Sequence, residues 1–292
     1  MTKLNPIEEI KKAISVLFTP VQVVELRGPK CGSAGTISGY FDDHAKLAAA
    51  VAELSGERLS EDAVVPAVYV TLNPLARDES LEVANTWTTN ARSTTRDKGI
   101  ERRSWLLVDI DPMRPANTSA TEEEKRAAKA IAKEVVAHLR DQEWPDPVVG
   151  DSGNGLHLLW QVDLPNDAAS TALIKSCLLA LAQRFDTDQA TVDRSVFNAA
   201  RVVKCYGSMA CKGENTPERP HRLSRLLHVP KRIQVLDRAL LESLAADGDS
   251  RKGYTAPVKA GLQITPENME EFLAAYTCTY RRPKQGWHRC LK

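Results

Sequence analysis

A strong net charge, a long apolar run and paired cysteines are all missing from this sequence of 292 residues. Lys and Arg number 39 against 38 Asp and Glu, so composition alone does not predict a nucleic-acid binder, and a basic groove requires local clustering. No window approaches a run of about 18 apolar residues, and the first residues lack an apolar signal core. We therefore expect neither a membrane span nor a secretory leader.

The cysteines indicate a reducing compartment. All six are scattered along the chain, and none forms a CxxC pair. A chain of this length can bury a sizeable core without cross-links, and scattered cysteines in such a chain are typical of reduced thiols. We therefore predict a cytoplasmic protein.

The middle of the chain has the clearest pattern of strands and helices. Apolar and β-branched runs predict the strands, while Ser119 before Glu122 and Thr121 before Glu124 have the spacing of a capping box. The predicted elements are strand 104–110, helix 119–140, strand 147–150, strand 156–162, helix 166–185 and strand 201–206. Their order, β-α-β-β-α-β, is that of the ferredoxin-like split unit.

We predict an α/β (α+β) fold in which this unit is one module of a larger domain. The domain covers residues 1–230, with a small N-terminal α/β module over about 1–100 and the split unit over about 101–230. Residues 231–292 form a helical extension, with helices near 235–245 and 266–275, that can lead into a further domain.

Two acids at the end of the first of these strands are the first candidates for chemistry. Alternate residues of a strand face the same side, so Asp109 and Asp111 project together. Adjacent carboxylates repel each other unless a cation lies between them, and hard oxygen ligands suit Mg²⁺ or Mn²⁺. A DxD motif on its own is equally consistent with two solvated acids.

Two further motifs carry groups that suit phosphate. In the turn DSGNGLH, Gly153 and Gly155 predict exposed backbone N–H groups, and His157 begins the next strand as a donor. Asp193 precedes a basic run whose cations suit a triphosphate, namely Arg201, Lys204 and Lys212. Taken alone, the turn is more often an ordinary hairpin, and the basic run a solvated mix of charges.

The split unit brings these weak motifs together. Its third and fourth strands flank the first and run antiparallel to it, so the end of the first lies beside the starts of the other two. Asp109 and Asp111 are at that end, His157 is at the start of the third strand, and Asp193 just precedes the predicted fourth. A chance match of all three motifs at this one edge is less probable than a chance match of any one of them.

Together the motifs resemble those of the archaeo-eukaryotic primase superfamily, and within it the primase-polymerase domains of bacteria, phages and plasmids. The similar stretches span roughly residues 20–230. They read SGYFDD, YVTLNP, WLLVDIDPMRP, DSGNGLHLLW, VDRSVFNAARVVK and TPERPHRLSRLL. The resemblance implies a small α/β module packed on an RRM-like catalytic module, in a chain of bacterial, phage or plasmid origin.

The resemblance also assigns roles to residues. It implies that the catalytic acids Asp109, Asp111 and Asp193 hold two Mg²⁺ or Mn²⁺ ions for nucleotidyl transfer on a single-stranded DNA template. The implied nucleotide-binding turn comprises Ser152, Gly153, Asn154, Gly155 and His157. The implied contacts to the triphosphate of the incoming nucleotide are Arg201, Lys204 and Lys212. A replicative helicase is an expected partner.

Two basic clusters are candidates for the template strand. The first precedes the catalytic strand and either tracks a single-strand backbone or is a solvated loop; it comprises Arg92, Arg96, Lys98, Arg102 and Arg103. The second could serve DNA or the nucleotide and comprises Arg219, His221, Arg222 and Arg225.

Three other functions stay open. A metal-dependent nuclease would use the same acids and His157, although the basic residues after Asp193 favour a triphosphate. A replication-initiation module without catalysis would bind DNA, but the complete set of acids argues against it. An RRM-like RNA binder would stack bases on Trp105 and Trp160, but the acids on the same strands repel RNA in the absence of metal.

Overall fold

The computed structural model describes residues 5–77 and 82–250 and two short strands beyond them, and it shows a mixed α/β fold with antiparallel sheets. Within that part of the chain the helices are α1 (Pro6–Leu17), α2 (His44–Leu54), α3 (Glu122–Arg140), α4 (Ala168–Phe185) and α5 (Arg238–Ser250). None of these helices is long and apolar enough to cross a bilayer. Short 3-10 helices cover Gly32–Ala34 and Asp97–Gly99.

The strands form one five-stranded sheet, one four-stranded sheet and three small pairs. In chain order they are β1 (Val24–Gly28), β2 (Ile37–Phe41), β3 (Arg58–Ser60), β4 (Ala63–Val64), β5 (Tyr69–Thr71), β6 (Arg102–Pro112), β7 (Val148–Asp151), β8 (Leu156–Pro165), β9 (Ala190–Val192), β10 (Val202–Lys204), β11 (Met209–Ala210), β12 (Arg222–Leu223), β13 (Arg225–His228), β14 (Tyr280–Arg281) and β15 (Arg289–Cys290).

The chain divides into two compact units, Met1–Asp249 and Ser250–Lys292. The second contains the antiparallel pair of β14 and β15. The helix predicted near 266–275 lies outside the described residues. The predicted boundaries at about residues 100 and 230 stay predictions.

The five-stranded sheet has the strand order β13-β7-β8-β6-β9, and every neighbouring pair is antiparallel. The helices α3 and α4 pack on this sheet and on each other. On one face of β6, Leu106, Val108 and Ile110 are completely buried. The other face is covered near Trp105, whose indole Nε1 donates to the Leu17 carbonyl at 3.0 Å, and it opens toward the end of the strand.

A strand forms within the predicted range 201–206, as β10, but its predicted place as the fourth strand of the split unit was wrong. The strand beside β6 is the three-residue β9, and β10 instead pairs with β5 in the four-stranded sheet, whose order is β10-β5-β1-β2. Both candidate segments are largely buried, so apolar character could not tell which sheet each joins. Because β9 contains only Ala190, Thr191 and Val192, it is too short for its alternation of side chains to be recognised in the sequence.

At the starts of α3 and α4, local hydrogen bonds show which of two neighbouring residues caps the helix. Of the two possible capping boxes before α3, the structure uses Thr121 with Glu124, while the Ser119 hydroxyl donates to the Lys212 carbonyl at 3.0 Å. The cap of α4 is Asp167, not Asn166 as predicted. The start of α3 thus lies a few residues after the predicted position, and the cap of α4 moves by one residue, without a change in the order of elements.

Candidate active site

The two acids of β6 share an open face of the sheet. Their neighbours Val108, Ile110 and Pro112 are buried, as the alternation of a strand requires. The Asp109 side chain keeps 21% of its surface exposed and that of Asp111 keeps 44%. Both carboxylates therefore reach the same solvent-accessible edge.

Strand pairing brings a histidine and a third acid to this edge. Asp109 on β6 lies opposite His157 on β8, and the ring Nε2 of His157 is 3.4 Å from Asp109 Oδ1. On the other side of β6, the backbone N–H of Asp193 donates to the Asp109 carbonyl at 2.8 Å. Because β9 ends at Val192, Asp193 follows this strand instead of preceding it.

Burial and mutual charge set the ionisation of the cluster. Burial opposes ionisation of Asp109, but the charge and hydrogen bond of His157, with smaller effects of Arg201 and Arg114, hold its pKa below the ordinary value. Burial and then the neighbouring Asp109 raise the pKa of Asp111, partly offset by Arg114. Burial alone would lower the pKa of His157, yet Asp109 raises it on balance.

Two arginines supply positive charge at the acids, and one of them was missed from the sequence. Arg114 Nη1 donates to Asp111 Oδ1 at 3.1 Å, and its Nε donates to the Thr118 carbonyl at 3.2 Å. Its signal was its position three residues after Asp111 in DIDPMRP. Arg201 donates to the Ser195 carbonyl at 2.6 Å, and its buried Nε has no hydrogen-bond partner among the described residues.

The donors at this edge fit a hard divalent cation in part. A cation would relieve the repulsion that raises the pKa of Asp111, and carboxylate oxygens are the ligands that Mg²⁺ and Mn²⁺ prefer. Across the described part of the chain, however, no three His, Cys, Asp or Glu residues stand in a ready metal-binding arrangement. The Asp193 carboxylate accepts from the Ser195 N–H through Oδ1 at 2.8 Å.

The turn before β8 does not present the free N–H groups that its glycines predicted. The N–H of Ser152 donates to the Gly155 carbonyl at 3.1 Å, and that of Gly153 donates to Asp151 Oδ1 at 2.8 Å. The N–H groups of Asn154 and Gly155 donate to the Ser152 hydroxyl oxygen at 3.4 and 2.9 Å. Polar side chains within the turn therefore use the donors that we expected to hold phosphate.

The turn instead packs closely against the end of β6 and against the segment that leads into α3. A Cβ atom at Gly155 would overlap the Ile110 carbonyl and lie 3.0 Å from Asp111 Oδ1. Asn154 Oδ1 accepts the Ala120 N–H at 2.8 Å, which fixes the segment leading into α3. The turn thus packs directly against Ile110 and Asp111, and the Ser152 side chain within it is half-buried.

The two lysines assigned to the triphosphate differ in accessibility. Lys204 is only 2% exposed, and its Nζ donates to the Met209 carbonyl at 2.6 Å and lies 5.6 Å from the centre of the Tyr69 ring. Burial lowers the pKa of Lys204 from 10.5 to about 7. Lys212 is exposed to solvent. Lys204 is therefore an interior amine in this structure, and Lys212 is a surface one.

Five arginines of the two basic clusters, Arg92, Arg96, Arg102, Arg103 and Arg222, differ in how they are held. Arg92 and Arg96 are exposed and make no ion pair with another described residue. Arg102 pairs with Asp163 across the sheet. The other two are turned inward: Arg103 is buried and donates to the Phe197 carbonyl and the Thr171 hydroxyl, while Arg222 pairs with Glu122 and donates to the Ala120 carbonyl.

A tyrosine that no sequence motif indicated contacts the histidine from the interior of the protein. The Tyr206 hydroxyl lies 2.8 Å from His157 Nδ1, and the tyrosine is completely buried. Gly150 leaves the space for its ring, because a Cβ atom there would overlap it. Tyr206 gave no signal because it follows β10, which belongs to the other sheet.

Comparisons with known proteins give one structural similarity. No protein-family model matches the sequence, and no curated protein matches it. The crystal structure of primase RepB′ resembles this chain with a TM-score of 0.44 and 12% sequence identity, over 85% of this chain. The match covers 65% of that primase chain, which is less than two thirds of its length.

Proposed function

We propose that this chain is a metal-dependent nucleotidyltransferase of the primase type, which builds or extends a strand from nucleoside triphosphates on a single-stranded DNA template. The motifs that resemble primase-polymerases suggest the reaction. The observation that carries the proposal is the meeting of Asp109, Asp111, His157 and the Asp193 backbone at one open edge of the sheet.

The acids are the expected holders of the metal. Asp109 and Asp111 would bind Mg²⁺ or Mn²⁺ directly, and Asp193 would join them. A bound ion of this kind supplies charge neutralisation for the triphosphate and an activated attacking oxygen. Arg114 orients Asp111 by the hydrogen bond to Oδ1. Its positive charge also offsets part of the negative charge of Asp109 and Asp111.

The chain's own donors position the nucleotide. His157 is held with Nε2 at the acid edge, 3.4 Å from Asp109 Oδ1, and from there it would donate to an anionic oxygen of the nucleotide. Arg201 lies close enough for its charge to affect Asp109, so it would also attract the phosphates of a nucleotide bound at this edge. Positioning and charge supply most of the rate in phosphoryl transfer, and these groups supply both.

Hydrolysis of a phosphodiester is the second candidate function. It is favoured by the turn before β8, whose N–H groups already have partners within the turn. Because the N–H groups of the Ser152–Gly155 turn bond within the turn and Lys204 is buried, fewer groups are left for a triphosphate than we expected. The acids and His157 alone equally suit a two-metal nuclease. The two reactions differ in their products, since only synthesis releases pyrophosphate.

The deciding experiment is a synthesis assay on single-stranded DNA with labelled NTPs or dNTPs, Mg²⁺ or Mn²⁺, and reactions with and without a primer. We expect metal-dependent products, reduced by roughly 100-fold or more in Asp109→Asn and in Asp111→Asn, since neutralising either acid removes a metal ligand. Asp163→Asn is the matched control, because Asp163 is an exposed acid of β8 that pairs with Arg102. Template shortening without pyrophosphate release would establish the nuclease instead.

A further inference from the structure

The peptide unit between Ala199 and Ala200 is held by side chains on both of its sides. The Ala199 carbonyl accepts from Asn73 Nδ2 at 2.9 Å, and the Ala200 N–H donates to Asp97 Oδ1 at 2.8 Å. Both alanines are buried. Asn73 and Asp97, which come from two other parts of the chain, therefore form a clamp around one peptide unit, the peptide clamp.

Arg201 follows this peptide unit, and its backbone is bonded on both sides as well. The Arg201 N–H donates to the Asn198 carbonyl at 3.2 Å, and the Arg201 carbonyl accepts from the Leu72 N–H at 3.0 Å. Because the backbone on either side of Arg201 is fixed, the origin of its side chain is fixed too. The place of the guanidinium group therefore depends on the peptide clamp.

Hydrogen bonds also connect the guanidinium group of Arg201 to the acid edge. Its Nη2 donates to the Ser195 carbonyl at 2.6 Å, and the Ser195 N–H donates to Asp193 Oδ1 at 2.8 Å. The Asp193 N–H in turn donates to the Asp109 carbonyl of β6 at 2.8 Å. These bonds place Arg201 beside the acids by geometry.

Asn73 joins the clamped peptide to the start of β6. It is only 3% exposed, and its Oδ1 accepts from the N–H groups of Ser104 and Trp105 at 2.8 and 3.2 Å. The pairing of β6 with β8 shifts its register between Arg103 and Trp105, and such a bulge leaves backbone groups without a partner on the next strand. The amide oxygen of Asn73 thus serves β6, while its nitrogen serves Ala199.

Asp97 acts in the clamp as an acceptor only. Its Oδ1 receives the Ala200 N–H and, at 3.3 Å, the amide Nδ2 of Asn198. Its backbone carbonyl accepts from Asn166 Nδ2 at 2.7 Å, which fixes Asp97 itself. Because both bonds to Oδ1 are accepted, the oxygen of an amide at this position can replace the oxygen of the carboxylate.

We propose that Asn73 and Asp97 are positioning residues, which hold the Ala199–Ala200 peptide and thereby place Arg201 at the acid edge for the phosphates of the incoming nucleotide. The effect on the nucleotide rests on the proposed function. The peptide clamp itself is a property of the chain and can be measured without activity. Since Asn73 must donate and Asp97 must accept, exchanging amide and carboxylate should impair the first and spare the second.

The direct test is hydrogen–deuterium exchange of the full chain, followed in fragments that cover residues 198–203 and 103–107. Asn73→Asp replaces the donor by an oxygen that repels the Ala199 carbonyl, but it still accepts from Ser104 and Trp105. We expect roughly 10-fold faster exchange in the first fragment, since a bond to a buried carbonyl is lost, and little change in the second. Unchanged exchange in the first fragment, or equal increases in both, would overturn the proposal.

Asp97 provides a second test at an exposed position. Asp97→Ala removes the acceptor of the Ala200 N–H and should speed exchange in residues 198–203. Asp97→Asn keeps an acceptor oxygen and should exchange at the wild-type rate. Equal impairment in the two variants would refute the clamp, because it would mean that the charge of Asp97 is what matters. This comparison decides the question even where Asn73→Asp does not fold.

In the synthesis assay the peptide clamp should affect the KM for the nucleotide. Asn73→Asp and Asp97→Ala displace Arg201, so we expect this KM to rise roughly 10-fold while the KM for the template is unchanged. Neither variant should have a further effect in an Arg201→Ala background, since both act through Arg201. Additive losses would mean a general structural effect and would contradict the assignment.

Asn85→Asp is the matched control, because Asn85 makes the same kinds of bond elsewhere. Its Oδ1 accepts from the N–H groups of Asp42 and Asp43, at 3.1 and 2.9 Å, and its Nδ2 donates to Asp42 Oδ1 at 2.9 Å. These bonds lie just before α2. We expect Asn85→Asp to change neither the exchange of residues 198–203 nor the KM for the nucleotide. An effect equal to that of Asn73→Asp would count against a specific clamp.

Exchange and kinetics together separate two kinds of failure. Should the wild type synthesise no product while the exchange of residues 198–203 responds as expected, the proposed function fails and the peptide clamp stands. Should synthesis be confirmed while the KM for the nucleotide is the same in Asn73→Asp and Asp97→Ala as in the wild type, the positioning role fails alone.

Discussion

Replacing Lys204 by methionine should change how the stability of the protein depends on pH. The ammonium group of Lys204 is only 2% exposed and has the Met209 carbonyl as its hydrogen-bond partner, with the Tyr69 ring beside it. Methionine has a similar length and no charge, so it removes the buried amine with little change in volume. The perturbation is therefore mainly electrostatic.

The size of the effect follows from the pKa of this lysine in the unfolded and folded states. Burial lowers that pKa from 10.5, the ordinary value of an exposed lysine, to about 7 in the folded protein. Between these values the unfolded chain binds more protons, so the free energy of unfolding rises as the pH rises through this window. Between pH 6 and pH 8.5 the gain from Lys204 is about 2 kcal/mol, and below pH 7 the cost of the buried charge is fully present.

Urea denaturation at several pH values between 6 and 8.5 measures this difference directly. We expect Lys204→Met to lose the part of the pH dependence that the lysine supplies, so its stability relative to wild type is highest at pH 6 and falls by about 2 kcal/mol toward pH 8.5. Lys212→Met, a change at an exposed lysine, is the matched control. Parallel pH profiles for wild type and Lys204→Met would refute the reasoning.

Two further predictions concern the site and its template strand. Gly155→Ala adds a Cβ atom 3.0 Å from Asp111 Oδ1, so we expect it to displace this acid and to lower kcat by roughly 10-fold or more, as measured in the synthesis assay. Arg92→Ala with Arg96→Ala should weaken binding of single-stranded DNA. The slope of log affinity against log salt should flatten by roughly 0.7 for each phosphate that these arginines neutralise, as measured by fluorescence anisotropy.

Each of these variants has a matched control. Gly99→Ala meets only ordinary van der Waals contact and should leave kcat unchanged, so equal losses in both glycine variants would contradict a specific effect on the acid. Arg102→Ala removes an arginine that already pairs with Asp163 and should leave the salt dependence unchanged. An unaltered slope in the Arg92 and Arg96 variant would contradict a template contact at these residues.

The sequence predicted those parts of the site that depend on local periodicity. A strand places alternate side chains on one face, so the common orientation of Asp109 and Asp111 followed from their spacing alone. The meeting of His157 with Asp109 followed from the antiparallel third strand. These relations need only the type and order of elements, which apolar patterns indicate well.

Partners of polar groups could not be predicted in the same way. Glycines in the turn suggested free N–H groups, but whether Ser152 and Asp151 accept from them depends on a backbone path that the sequence does not specify. A lysine or arginine reads the same in a sequence whether it is exposed or buried, yet Arg103 and Lys204 are interior residues. Tyr206 was overlooked because its contact with His157 arises between sheets.

The pairing of β5 with β10 has a consequence for how the chain reaches its fold during synthesis. Val70 pairs with Val203, so one edge of β5 has its partner strand only after a far later part of the polypeptide has emerged. Such distant pairing slows folding, and an unpaired edge invites association with other chains. Fragments that stop before β10 would therefore be prone to aggregate, and a nascent chain would depend on rapid completion or on a chaperone to protect that edge.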